Sequence, residues 1–390
     1  MKKVIALFLV LAMALSLAAC SQKQEYYAED PETVVPATEP ARKTIHVLLP
    51  ANEEGWEGAV KAQAQTAMDA ITAYDIETRV YESYEQQCEA LADIAAQSTG
   101  DGTQAVVVMP IADQEDPLFA DLLEANVAYA MADVIPAAAE AASVTNVQYD
   151  QRAIGAATAA WLVQNGLTQD QKVLIIQGLS EAEAQRTEGF QRYLLGKASH
   201  DGVTIEEPWT STENIVYSDM QGETAESAES YFTTYMEESD HAGVKYIAAW
   251  DDAYVMGILE ALEGENIDDS NKAKFLEGAP FIAGCGGSQM LLDVLTGTSQ
   301  FAAVPSLGGL QTVVLSTDLL KIAVETMAAY LNGEVVAQDN TQPIVWATVE
   351  NASQFSGYVG ENRTYEVPVE EEAEPTLEET EPVAEETEAE

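Results

Sequence analysis

Short apolar runs alternate with amphipathic stretches along most of this chain, and the two periods predict strands and helices in turn. Ile45 to Leu49 (IHVLL) predicts a strand, and Trp56 to Ile71 a helix with Trp56, Val60, Ala64, Ala67 and Ile71 on one stripe. Tyr84, Cys88, Leu91 and Ala95 mark a second stripe. Ala105 to Met109 predicts a strand ended by Pro110, Leu118 to Ala125 a short helix, and Val127 to Ala132 a strand. Ala153 to Gln164 predicts a helix stopped near Gly166. Val173 to Gln177, Thr204 to Glu206, Tyr246 to Ala249, Phe281 to Ala283, Phe301 to Val304 and Ile344 to Ala347 read as further strands. Helices are predicted over 181–195, 223–238, 254–263 and 290–295, with a long one over 313–331.

Strand followed by helix, repeated, calls for parallel sheets covered on both faces. Ten or so strands over this length divide into two doubly wound α/β units rather than one sheet. Ligands in such folds sit outside the carboxyl ends of the strands. Two such units joined by a hinge place those ends on a shared cleft.

The ends of the chain break the pattern. Lys2 and Lys3 precede an uninterrupted apolar run, Val4 to Ala14, that is too short to span a bilayer. Leu17-Ala18-Ala19-Cys20 follows and resembles the bacterial lipobox, which implies a signal peptide over 1–20 and lipidation at Cys20. Residues 21–43 are polar and carry Pro31, Pro36 and Pro40, as expected of a disordered tether. Residues 366–390 hold 12 Glu and no Lys or Arg, a composition expected to stay disordered. The chain carries a formal charge of −49, which repels nucleic acid phosphates and excludes that partner class. Its 47% hydrophobic content nonetheless suffices for a large core. His46, His200 and His241 are too scattered for a metal site, and Cys88 and Cys285 form no CxxC motif. No metal and no cofactor is expected.

Several segments together resemble the type I periplasmic (solute) binding proteins. Gln177-Gly178, then Arg186-Thr187-Glu188-Gly189-Phe190, resembles that family's second lobe, where a strand ends in QG, a loop follows and RxxGF opens the next helix. Gly102-Thr103-Gln104 with AVVVMP, Tyr149-Asp150-Gln151-Arg152-Ala153-Ile154-Gly155, Ala249-Trp250-Asp251-Asp252 through Gly257, and Ile282 through Gly287 resemble other family segments in the same order. The likeness runs from Thr44 to about Asn351 and is nearest the sugar-binding branch typified by the ribose and galactose binding proteins. It implies a first lobe over 44–148 and 308–335, and a second over 149–307 and 336–365. DNA-binding repressors share these lobes, but this chain lacks a helix-turn-helix at its start.

The resemblance also implies ligand-binding residues. Arg186 matches a guanidinium that donates to sugar hydroxyls, and a planar fork suits vicinal oxygens. Trp56 matches an aromatic that packs on a sugar ring, and Asp133 a carboxylate after the third strand. Asp251 stands where the family more often has Asn, and Glu54, beside Glu53, stands in a first loop where the family offers Asn. Met109, Val134 and Gly286 replace a polar contact, an Arg and an Asp, so ribose or galactose specificity does not transfer. Read without the resemblance, Trp56 starts a core stripe, Asp251 caps a helix and Asp133 is a solvated loop acid.

The implied function is that of the extracytoplasmic solute-binding lipoprotein of an ABC importer. It takes a sugar-like solute by lobe closure and docks on an ABC permease in the membrane. A sensory binding protein acting on a receptor or kinase is the alternative within the fold. A hydrolase acting on small exported substrates is the alternative outside it, though the chain has no GxSxG, Walker A or HExxH motif. Cys20→Ser should abolish lipidation and move the protein from the membrane fraction to the soluble fraction. Equal membrane retention of the variant on fractionation would rule out the lipid anchor.

Overall fold

The computed structural model describes residues 42–358, apart from 54, 112–117, 221, 239 and 299–300. Cys20, the expected signal segment 1–20 and the acidic tail 366–390 lie outside the described residues, as does Glu54.

In the first lobe the elements run β1 (Thr44–Pro50), α1 (Gly55–Ala70), β2 (Asp75–Tyr81), α2 (Tyr84–Gln97), β3 (Gln104–Val108), α3 (Leu118–Glu124), β4 (Ala128–Ala132), α4 (Ala137–Glu140) and β5 (Asn146–Gln148). The chain then crosses to α5 (Gln151–Gln164), β6 (Val173–Ile176), α6 (Glu181–Leu194), β7 (Ile215–Tyr217), α7 (Ala225–Glu237), β8 (Tyr246–Ala249), α8 (Asp252–Glu263), α9 (Asp269–Glu277), β9 (Phe281–Gly286), α10 (Gln289–Leu295) and β10 (Gly309–Val314). It returns through α11 (Leu319–Leu331) and β11 (Asp339–Thr341), and crosses again to β12 (Val345–Thr348).

The strands form two six-stranded sheets, ordered β11-β5-β4-β3-β1-β2 and β12-β10-β9-β8-β6-β7. Every pairing is parallel except β10 with β12, as the α/β reading expects. Central strands such as Ala105–Val108 and Val173–Ile176 are buried throughout because helices cover both faces.

Three expected boundaries change. Residues 309–314 pair with β9, so they belong to the second lobe and not to the first. Residues 339–341 pair with β5, so they belong to the first lobe and not to the second. The expected tether ends earlier, because Lys43 Nζ donates to the Leu331 carbonyl at 2.8 Å and Arg42 pairs with Asp75 at 3.1 Å. Three short crossings therefore join the lobes, at 149–150, 315–318 and 342–344. They are bonded to the rest of the hinge: Ser316 N donates to Tyr149 Oη at 2.6 Å, and Gln342 N to the Gln148 carbonyl at 2.8 Å.

Local readings also shift. Residues 204–206 form no strand, because the backbone there follows a tight hairpin bridging His200 and Val203. Residues 304–306 form a 3-10 turn instead of a strand. The long helix expected over 313–331 is a strand, a linker and a shorter helix, since Val313 and Val314 continue the buried run of β10. On α2 the buried stripe is Gln87, Leu91 and Ile94, which leaves Cys88 half-buried. Cys88 and Cys285 are not joined by a disulfide.

The motif glycines owe their place to helix packing. A methyl group at Gly155 of α5 would sit 1.8 Å from the Arg186 carbonyl oxygen, and one at Gly189 of α6 would sit 1.9 Å from the Arg152 carbonyl oxygen. Each helix thus seats its glycine on the backbone of the other. Gly257 of α8 makes the same kind of contact with Ala225 of α7, at 2.2 Å. Gly189→Ala should destabilise the protein by about 1–3 kcal/mol through overpacking, although helix propensity alone favours Ala by about 0.5–1 kcal/mol. Thermal melts should show this loss beside a near-neutral Gly243→Ala, where an added methyl meets nothing nearer than Lys274 Cε at 4.0 Å.

Candidate functional site

The carboxyl ends of β1 to β4 open on a cavity of about 330 Å³. Asn52, Glu57, Tyr81, Met109 and Asp133 are among its lining residues. Tyr81 closes β2, and its hydroxyl donates to the Met109 carbonyl at 2.7 Å. Gln87 Nε2 donates to the same oxygen at 2.9 Å, so the loop after β3 is held from two sides.

Asp133 follows β4 with φ +68°, a left-handed conformation that Asp tolerates better than most residues. Its amide donates to the Val147 carbonyl at 2.8 Å, which fixes the turn. Loss of solvent pushes its carboxyl from 3.8 up to about 6; the Arg186 guanidinium opposes that rise, and Glu57 adds to it. Asp133 belongs to the first lobe and Arg186 to the second, so the two groups act on each other across the cleft.

The second lobe supplies the opposite wall. Ser180 caps α6 by accepting from Glu183 N, and this helix carries Arg186. Arg186 is only 8% exposed. Its Nε donates to Gln151 Oε1 at 2.8 Å and one terminal nitrogen to the Trp250 carbonyl at 2.5 Å. A guanidinium has five N–H donors, so this anchoring leaves others for a ligand. Asp251 caps α8 and accepts from Ala253 N at 2.7 Å, so the helix-cap reading holds for it. Burial also raises its pKa, which the Ala253 amide and Arg186 partly offset.

Of the residues expected at the site, Asp133 lines the cavity, and Arg186 and Asp251 stand on the facing wall. Trp56 packs against the first-lobe core instead, and its neighbour Glu57 reaches the cavity. The indole Nε1 of Trp56 is buried without a hydrogen-bond partner.

Several groups at the site escaped the sequence reading. Tyr81 ends an edge strand whose residues are mostly polar, so β2 gave no apolar signal. Glu183 accepts from Gly178 N at 2.5 Å and from Tyr254 Oη at 2.9 Å, and burial raises its pKa. Asp252 is fully buried, accepting from Ser288 N at 2.7 Å and from Thr312 Oγ1 at 2.5 Å. A side chain at Gly286 would meet Tyr358 Oη at 3.0 Å and the Asp252 carboxyl at 3.2 Å. Those two residues therefore fill the place where the family's aspartate was expected. Tyr358 lies beyond the last strand, where no periodicity points to it; the aromatic pair Phe355 and Tyr358 ahead of the acidic tail was the available cue. Among the described residues no group of three or more His, Cys, Asp or Glu is arranged to hold a metal ion. No helix among them is long and apolar enough to cross a membrane.

Burial lifts Asp252 from 3.8 to about 7, so the folded state holds its proton where the unfolded chain has lost it. Stability from this group is thus present below about pH 4 and falls as pH rises toward about 7. Asp133 acts in the same direction up to about pH 6. Asp252→Asn should flatten part of that loss. Melting midpoints across this range should show the variant gaining on wild type as pH rises, and parallel curves would contradict the assignment.

A family described as periplasmic binding protein domain matches residues 45–335. A search among curated proteins finds no match. Among solved structures, the periplasmic ribose ABC transporter protein of Conexibacter woesei aligns with TM-score 0.60 at 15% identity, covering 80% of this chain and 93% of that one. The periplasmic component of the arabinose ABC transporter of Shewanella sp. ANA-3, bound to L-arabinofuranose, aligns with TM-score 0.58 at 16% identity, covering 80% and 93%. An ABC transporter solute binding protein of Bacillus halodurans with bound myo-inositol aligns with TM-score 0.56 at 16% identity, covering 80% and 96%. At these identities the likeness is one of fold. Because the family match spans most of the chain and both sheets follow the two-lobe plan, the chain belongs to the periplasmic binding protein domain family.

Proposed function

We propose that this chain is the extracytoplasmic solute-binding component of an ABC importer, anchored to the cell membrane by lipid at Cys20, and that its lobes close on a small, sugar-like solute. The closed form would present both lobes to an ABC permease in the membrane. The observation that carries this reading is Asp133 on one wall and Arg186 on the other, electrostatically coupled across the cleft. Carboxylates accept from hydroxyls, and a guanidinium donates to two neighbouring oxygens from a planar fork. A polyhydroxylated solute offers both kinds of partner. Ribose, arabinofuranose and myo-inositol, the solutes named for the structural relatives, are of this chemistry and of a size the cavity admits.

Closure has a defined axis in this reading, because the three crossings lie side by side and are bonded together at Tyr149 and Gln148. The site holds more carboxyl groups than cations: Asp133, Glu183 and Asp251 all share the one Arg186, with Glu57 beside Asp133 and Glu223 beside Glu183 and Asp251. Solute hydroxyls would replace water as donors to these groups. Trp56 and Asp251 remain in the proposal with lesser parts, an aromatic support behind the cavity and a helix cap beside the guanidinium, and Glu54 remains a candidate ligand-binding residue.

A thermal-shift screen against pentoses, hexoses and inositols should raise the melting midpoint with at least one, since a ligand of the folded state stabilises it. For that solute, Arg186→Lys and Asp133→Asn should each lower affinity at least tenfold, about 1.4 kcal/mol. If amines or nucleosides shift the midpoint and no sugar or polyol does, the assignment fails.

A further inference from the structure

We infer that Tyr358 is a solute-contacting residue of the second lobe, delivered to the cleft by a strap after the last strand, and that its hydroxyl selects one hydroxyl of the solute. This rests on the proposed reading of the cleft as the place of a sugar-like solute. The strap runs from β12 through a 3-10 turn (Ala352–Gln354), and Phe355 packs it against the second-lobe core. Its end lies along the start of α10. Gln289 N donates to the Tyr358 carbonyl at 3.1 Å, and Gly357 N donates to Gln289 Oε1 at 3.0 Å. A methyl group at Gly357 would collide with Gln289 N and sit 2.6 Å from the Gly287 carbonyl oxygen, so the strap rests directly on the turn after β9. That turn stands at the carboxyl end of β9, where the cleft lies. The family match ends at residue 335, so the strap lies outside it.

The position of the Tyr358 hydroxyl carries the inference. Gly286 is the last residue of β9, and a Cβ added there would meet Tyr358 Oη at 3.0 Å. The hydroxyl therefore takes the space that a side chain at 286 would use at the cleft end of the strand. Its neighbour Asp252 is already engaged, accepting from Ser288 N at 2.7 Å and from Thr312 Oγ1 at 2.5 Å. Among the described residues the Tyr358 hydroxyl has no hydrogen-bond partner. The residue is partly exposed, and its hydroxyl is not sealed in as that of Tyr235 is. An accessible hydroxyl with its bonding capacity unspent, set beside the Asp251 and Arg186 wall, is open to a solute.

Its surroundings fix what that hydroxyl does. Loss of solvent, then the charges of Asp252 and Asp251, hold its pKa well above the usual tyrosine value, with Arg186 opposing. The phenol thus keeps its proton and can donate. A carboxylate in the same place would only accept. The second-lobe wall therefore turns two donors, Arg186 and Tyr358, toward solute oxygens, while Asp133 and Glu57 on the first wall accept. The solute group that matches Tyr358 is a hydroxyl, which accepts from the phenol and donates onward to a carboxylate. A site built around such a bond rejects the analogue that lacks the oxygen.

The test compares the full-length protein with Tyr358→Phe, which keeps the ring and the strap. The probes are ribose, arabinose, galactose and myo-inositol with their monodeoxy analogues, followed by calorimetry. For a probe that binds wild type, Tyr358→Phe should bind about three- to tenfold more weakly, the loss of one neutral hydrogen bond. That loss should vanish for the one deoxy analogue that lacks the partner oxygen, as a double-mutant cycle requires. The ligand-free melting midpoint should not change, because the hydroxyl has no partner in the fold. A probe that binds both proteins equally would remove Tyr358 from the site and leave the reading of the cleft intact. An equal loss for every analogue, or a lower ligand-free midpoint, would give the hydroxyl a structural role instead. If no probe binds wild type, the reading of the cleft fails and the inference falls with it.

Discussion

The close crossing of α5 and α6 is the constraint on which the site depends. Gly155 and Gly189 let each helix rest on the other's backbone, and the atom that Gly155 approaches is the carbonyl of Arg186 itself. The crossing sets the depth and rotation of α6, so Arg186 emerges beside Gln151 of α5 and beneath the Trp250 carbonyl. Trp250 in turn donates from its indole to Thr187 Oγ1 at 2.7 Å, one residue along the same helix. The guanidinium is thus positioned by backbone contact, helix packing and hydrogen bonds at once, and little freedom is left to lose when a solute binds.

Electrostatics gives the site its character. The chain carries 66 acidic residues against 17 basic ones, and the cleft concentrates that imbalance around one buried cation. Desolvation raises the carboxyl pKa values at Asp133, Glu183, Asp251 and Asp252; Arg186 offsets part of the rise at Asp133, and hydrogen bonds from hydroxyls or backbone amides offset part of it at the other three. Asp252 serves the architecture: it ties β10 to the turn after β9 through Thr312 and Ser288. The groups nearer solvent, Asp133 and Glu57, face the cavity with acceptor capacity unspent. A surface that asks for hydroxyl donors and a single paired donor fits a polyol better than an anion.

Legibility followed burial. Strands buried on both faces read as unbroken apolar runs, and β1, β3, β6 and β8 were visible for that reason. Edge strand β2 was invisible because Glu77, Thr78 and Arg79 interrupt it and one face meets solvent. The segment from Val313 onward was read as helix because β10 and α11 are both apolar and only a short linker separates them. Arg186 and Asp133 stood out through their position in family segments, and the structure sets them on opposite walls. Trp56 illustrates the limit of that reading: the helix stripe predicted its packing on the core, and its neighbour Glu57 took the place at the cavity.

Periodicity and composition determined the α/β class, the parallel sheets and the two-unit division, because each depends on local pattern. Which lobe owns β10 and β11 was decided only in three dimensions, since strand order depends on pairing between distant segments. The same holds for Tyr358 and Asp252, which come from separate parts of the chain to fill the space above Gly286.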